Sequence, residues 1–493
     1  MKKVTLLSAS LLASIFVLVS FSSKKKTTSF ARQPAASIIN CPPPALITAT
    51  AFSAMNEPNI LRVRKNVDML STAEINAIKV GIIKMKALPY TDPTSWLYQA
   101  AVHGTLLTDN LPSWNSCHRS GEEFFFFAWH RMYVYFFERI LRAKSGRADL
   151  TIPYWDYQIN PVMHPAFRDN SPGNPLYHFR NPTINNGGAL PASIMTAFNN
   201  SLAITSYYPF QTNINGPHGS VHTTINGDMA IASTAGRDPS FWLHHSNIDR
   251  LWEEWLGMCN GRANPIDAAF LNNTYIFFDE TGSPVSMQGS QVVEASTQLH
   301  YKYDLLPSLP NCPGARGSLV NRQVLLRKAT AVEINGQQER TDFAREGTVQ
   351  LNSFINTRNR SNFNFSSRTS PERLSLIFEG LKIERMPEGV VEVYLNLPAG
   401  VTPSAVSKHF VGLLDLFSAQ HDMVHAVRGM AVTNEVELDV TKAAETLGLT
   451  VPDLRNAQVS FFVRGASLNG EEVRAQAQIS IPHLTFSVAE FRN

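Results

Sequence analysis

Two aromatic-rich, helix-patterned stretches with histidines set into their apolar faces constrain this chain more than any other feature. The first runs from Phe124 to Lys144 and holds His130 inside a run of Phe, Trp and Tyr. The second runs from His244 to Leu256 and opens on two adjacent histidines. A buried imidazole left without a partner costs about 1–3 kcal/mol, so each such position needs a hydrogen bond or a metal ion. A lone histidine in an apolar helix is most often a hydrogen-bonded core residue. Number argues otherwise here: His103, His118 and His130 cluster upstream, and His218, His222, His244 and His245 downstream, out of 14 histidines in the chain.

His218 and His222 stand four residues apart, which on a helix puts both imidazoles on one face within reach of one ion. Pro217 fits the first turn of such a helix. One histidine of the 244–245 pair can complete a three-nitrogen site. Asp249, four residues past His245, shares its face and can orient an imidazole from behind. Imidazole suits zinc, copper, iron and nickel. The chain has no HExxH sequence with its carboxylate base, and no thiolate is placed for blue copper. Two all-imidazole sets in one aromatic pocket favour a pair of coppers able to bind dioxygen, with a three-histidine zinc hydrolase as the rival.

The rest of the sequence sets the frame. A net charge of +3 over 493 residues, with no nucleic-acid motif, argues against nucleic acid as a partner. Lys2 and Lys3 precede an apolar run from Val4 to Phe21, the pattern of a secretory signal. Residues 1–31 are therefore expected to be removed on export to a periplasmic or extracellular space, leaving no membrane segment. Cys41, Cys117, Cys259 and Cys312 can then oxidise, in any of three pairings. Ile60 to Lys86 reads as largely helical, with Ser71 and Glu74 as a capping box. Asn160 to Gly216 reads as a long Pro/Asn/Gly loop. Alternating segments after Leu374 read as strands of a sandwich or barrel. The expected order is a mainly α domain over 41–315, a linker over 316–370 and a β-rich C-terminal domain over 371–493.

The stretches FFFFAWHRMYVYFFERIL (124–141), IPYWDY (152–157), INGPHGSVH (214–222) and DPSFWLHHSNIDRLW (238–252) resemble the tyrosinase and polyphenol oxidase family, the type-3 copper proteins. With His103, the resemblance spans roughly residues 60–305. It implies a helical bundle around two copper ions. His103, His118 and His130 would hold the first copper, and His218, His222 and His245 the second. His244 would be an outer neighbour of the site and Asp249 its support. Tyr301 and Tyr303 look like the family's closing tyrosine pair, with Arg62 or Arg64 as their partner. The spacing from His118 to His130 exceeds the family's usual gap, so Arg119 to Glu123 reads as an insertion. Where many monophenol hydroxylases in the family pair a glutamate with an asparagine, this chain has Gln211 and Gly219. The resemblance therefore implies oxidation of ortho-diphenols to ortho-quinones by dioxygen, with weaker monophenol hydroxylation. A full monophenolase and a non-enzymatic oxygen-binding protein are the alternatives. A β-rich tail of this kind can also cover the copper pocket.

Overall fold

The computed structural model describes residues 48–54, 60–103, 125–306, 330–334, 346–350, 372–420, 435–449 and, with short gaps, 453–490. Its helical part is built on six helices: α1 (Thr72–Lys86), α2 (Trp96–Ala101), α3 (Phe126–Ser145), α4 (Ala192–Leu202), α5 (Tyr207–Ile225) and α6 (Pro239–Gly257).

The capping box forms at the start of α1: Ser71 Oγ accepts from Glu74 N, and Glu74 Oε2 accepts from Ser71 N at 2.8 Å. The helix does not extend back to Ile60. Arg62–Arg64 is instead a strand paired in parallel with Tyr301–Tyr303, because that pairing seats Arg64 in a fully buried ion network. α6 starts five residues before the histidine pair. Asp238 caps it through Ser240 N at 2.8 Å, and Pro239 occupies its first turn.

α5 also starts early. Pro217 lies inside it rather than in its first turn. The added turns are held by Tyr207 and Phe210, buried against Phe127, Trp252 and Trp255; that packing outweighs the backbone hydrogen bond Pro217 cannot make. The expected long loop therefore contains α4, two one-turn helices and the start of α5.

α3 and α6 pack side by side at the centre. Phe137 stacks on Trp242 and Phe127 on Trp252 across their contact. Both helices are buried over most of their length, which explains their near-continuous apolar sequence.

Among the described residues of the C-terminal part, eight strands build its two main sheets: β1 (Thr330–Ile334), β2 (Glu346–Gln350), β3 (Glu372–Glu379), β4 (Gly389–Leu395), β5 (Phe410–Leu413), β6 (Glu435–Asp439), β7 (Gln458–Gly465) and β8 (His483–Glu490). They make two antiparallel sheets, ordered β5-β4-β7-β2 and β6-β3-β8-β1. Leu374, Leu376, Phe378, Val391, Val393, Val459, Phe461 and Phe486 fill one apolar core, the arrangement of a sandwich. β1 and β2 fall inside the 316–370 stretch expected to be linker, so the sheets claim part of it.

Candidate metal centre

α2 ends beside His103, α3 carries His130, α5 carries His218 and His222, and α6 carries His244 and His245. All six imidazoles are buried and converge. The ring nitrogens of His218, His222, His244 and His245 lie within 4.8 Å of one another, and so do those of His103, His130 and His245. His245 belongs to both groups and stacks on His130 with centroids 4.3 Å apart. His103 and His222 stand 6.5 Å apart, and His130 and His218 6.3 Å apart, by centroid. His118 and Cys117 lie outside the described residues, as do the expected leader and Cys41. Cys259 is disulfide-bonded.

The surroundings prepare these rings for a cation. His103 Nδ1 donates to Ala232 O at 2.8 Å, His130 Nδ1 to Phe126 O at 2.7 Å and His222 Nδ1 to Met229 O at 2.8 Å. Each such bond holds the proton on Nδ1 and makes Nε2 the lone-pair nitrogen, the form that binds metal. Nε2 of His130 then faces Nε2 of His103 at 3.4 Å; two lone pairs at that distance attract a shared ion, not each other. His222 Nε2 and both ring nitrogens of His244 and His245 are buried without a hydrogen-bond partner. Burial pushes His103 down to about 4 and His244 to about 3, and drives the other four well below the usual histidine value. All six are therefore neutral at pH 7, the form a metal needs. Phe126, Trp129 and Phe241 wall the rings at 4.3–4.9 Å, excluding water.

Two expectations about the supporting residues change. His244 is not held outside the cluster; its ring stands 5.1 Å from His218 and 4.8 Å from His222 by centroid, and one of its ring nitrogens groups with theirs. Asp249 does not hydrogen-bond His245. Its oxygens are taken by Arg131 Nε at 2.5 Å, Arg64 Nη1 at 3.1 Å and the Tyr301 and Tyr303 hydroxyls at 2.5 Å each. Burial alone would raise the Asp249 carboxyl, but Arg131 and Arg64 hold it below its usual value. Arg64 is thus the partner of the tyrosine pair: its guanidinium lies 3.6 Å over the Tyr301 ring and bonds Glu138 at 2.8 Å. This network joins the 62–64 strand, α3, α6 and the 301–303 strand.

Gln211 is buried two turns before His218 on α5. Its Oε1 accepts from Tyr207 Oη at 3.1 Å and Phe127 N at 3.4 Å. Sequence reasoning missed two residues of the β-rich part. Phe417 stacks on His222 with centroids 4.0 Å apart and planes 11° apart, and lies 5.8 Å from His218. Asp415, whose carboxyl burial raises to about 6, stands against Gly219. Neither has a periodic or motif signal; both reach the site only through tertiary folding.

The family profile for the common central domain of tyrosinase matches residues 93–189 and 179–258, and that for the polyphenol oxidase middle domain matches 264–311. The chain belongs to the tyrosinase and polyphenol oxidase family. Tyrosinase HcTyr1 of Hahella sp. is 32% identical over 314 residues, covering 52% of this chain and 66% of that relative. The chloroplastic (+)-larreatricin hydroxylase of Larrea tridentata is 28% identical over 311 residues, covering 53% and 52%. The chain thus spans about half to two thirds of the length of these relatives. The structure of a latent aurone synthase, a polyphenol oxidase, matches with a TM-score of 0.62 over 92% of this chain and 94% of that one; at 18% identity it is a likeness of fold. Latent apple tyrosinase matches likewise, with a TM-score of 0.59 and 18% identity over 90% and 100%. Tyrosinases and polyphenol oxidases are type-3 dicopper proteins, and the buried, neutral imidazoles grouped here suit such ions.

Proposed function

We propose that this chain is a copper-dependent oxidase of phenols, acting chiefly on ortho-diphenols, with dioxygen as the oxidant. The observation that carries the reading is the meeting of His103 and His130 with His218, His222 and His245 in one dry pocket. His118 would complete the first set. His245 is the preferred third ligand of the second copper because its ring nitrogen alone lies within 4.8 Å of both sets. Bound copper would supply the redox chemistry, passing electrons from the diphenol to dioxygen and yielding quinone and water. The protein's part is geometry: three backbone carbonyls fix the imidazole tautomers, and aromatic walls keep water out.

The preference for diphenols rests on Gln211 and Gly219. An amide cannot take a phenolic proton as a carboxylate does, and the Gln211 oxygen is engaged with Tyr207 and Phe127. Copper content measured together with turnover of a matched catechol and monophenol tests both parts. Two coppers per chain and faster catechol oxidation are expected. Equal rates on the two substrates would sink the diphenol preference. Zinc in place of copper, or dioxygen binding without turnover even in a chain cut after about Leu319, would sink the reading as a whole.

A second proposal concerns access. The ring of Phe417 fills the space against His222 where a phenol ring would lie, so the β-rich part acts as a lid. Two of the structures similar in fold are described as latent enzymes. Cutting the chain after about Leu319, or replacing Phe417 with Ala, should raise turnover. We also propose export after loss of residues 1–31, to be checked by the mass of the mature protein; no helix among the described residues is long and apolar enough to cross a membrane.

A further inference from the structure

Along one face of α5, at helical spacing, Gly216, Gly219, His222 and Thr223 meet the β-rich part. A Cβ on Gly216 would stand 2.7 Å from the carbonyl oxygen of Leu413. A Cβ on Gly219 would overlap Asp415 Oδ1 and stand 3.2 Å from the Cβ of Phe417. Phe417 stacks on His222. One turn on, Thr223 Oγ1 donates to Gly389 O at 2.8 Å. Glycine within a helix is less favourable than alanine by about 1 kcal/mol. Neither glycine has a positive φ, so backbone conformation does not require it. Close approach of the segment at 413–417 does.

We propose that Gly216 and Gly219 form the seat into which residues 413–417 dock, so that position 219 sets how firmly Phe417 closes the histidine pocket. This rests on the lid reading above and adds its latch. The segment is held on its other side by Leu414 N, which donates to Val391 O at 3.0 Å, and is braced within itself by Asp415 Oδ1, which accepts from Ser418 N at 3.1 Å. It therefore cannot slide away from an added side chain without breaking the bond to Val391. Overlap at 219 lifts Asp415, and Phe417, two residues on, leaves His222. Position 219 follows the first proposed ligand of the second copper, where the family resemblance sets the asparagine of many monophenol hydroxylases. In this chain the same position is given over to docking. A Gly219→Asn exchange would thus change access and substrate chemistry together.

The test uses the full chain without metal and reads backbone hydrogen exchange at Leu414 and Ser418. In Gly219→Ala, exchange there should quicken by about tenfold or more, as expected for overpacking a tight contact, while α3 and α6 stay protected. Adding Asp415→Ser, which shortens the side chain and keeps an oxygen to cap Ser418, should restore slow exchange. Gly216→Ala should quicken exchange in the same segment, and serves if Gly219→Ala does not fold. Unchanged exchange in both alanine variants would overturn the seat. So would quickened exchange in Gly219→Ala that Asp415→Ser fails to reverse. Copper-loaded Phe417→Ala is the separate control: no rise in its turnover would defeat the lid, while the exchange data still judge the seat.

Discussion

At the scale of single residues, the site is a problem in keeping nitrogen lone pairs free. His103, His130 and His222 solve it alike, each spending its Nδ1 proton on a backbone carbonyl. Replacing His130 with Ala should lower copper below two ions per chain, measured by atomic absorption. Retention of both ions would remove His130 from the ligand set. Arg64 shows the opposite electrostatic situation, a buried cation among Glu138, Asp249 and two tyrosines. Taking away one partner of such a buried network typically costs about 3–5 kcal/mol, because it strands the opposite charge. Arg64→Met should therefore be strongly destabilised in chemical denaturation. A midpoint within error of the parent would show that the network contributes little. Arg64 was one of two arginines legible as candidates; the structure selects it because residue 64 is fully buried and bonds Tyr303 and Asp249, while residue 62 is only half-buried.

At the scale of elements, the start of α1 is fixed by local bonds. Partial burial pushes the Glu74 carboxyl up, but hydrogen bonds from Lys65 and Ser71 outweigh this and lower it to about 2. A carboxylate whose folded value is depressed stabilises the fold above its unfolded value, near 4.3, and loses that contribution as pH falls through the folded value. Glu74→Gln should accordingly be less stable than the parent at pH 7, with the difference closing between pH about 4.3 and about 2. A difference independent of pH would show that charge plays no part in this cap. α5 illustrates the limit of local reading. Pro217 and the Asn and Gly residues around it signal a helix start, yet aromatic packing of Tyr207 and Phe210 draws the helix two and a half turns further back. α3 was legible almost to the residue, since a long buried apolar run admits few other structures.

At the scale of the molecule, the helical and β-rich parts meet over the proposed ligands. Contacts near the site include Phe417 on His222 and Thr223 on Gly389; further off, Ala189 and Ser467 exchange two backbone hydrogen bonds of 2.7 and 3.0 Å. If this contact closes the pocket, catechol turnover by Phe417→Ala should exceed that of the parent by about tenfold, the gain expected when a closed state about 1.4 kcal/mol more favourable is removed. Turnover equal to the parent, with copper content unchanged, would leave the β-rich part as an accessory rather than a lid.

What the amino-acid order determined alone is local chemistry: an HxxxH pair on a helix, imidazoles in apolar runs, a capping box and the alternation of the later strands. These follow from periodicities of 3.6 and 2 and from side-chain hydrogen bonds only a few residues long. Tertiary structure decided what depends on distance through space. It brought His244 among the other imidazoles, turned Asp249 toward two arginines and two tyrosines, and set Phe417 against His222 from 195 positions along the chain. Contacts between segments so far apart leave no periodic trace in either one, because each is specified by the shape of both surfaces together.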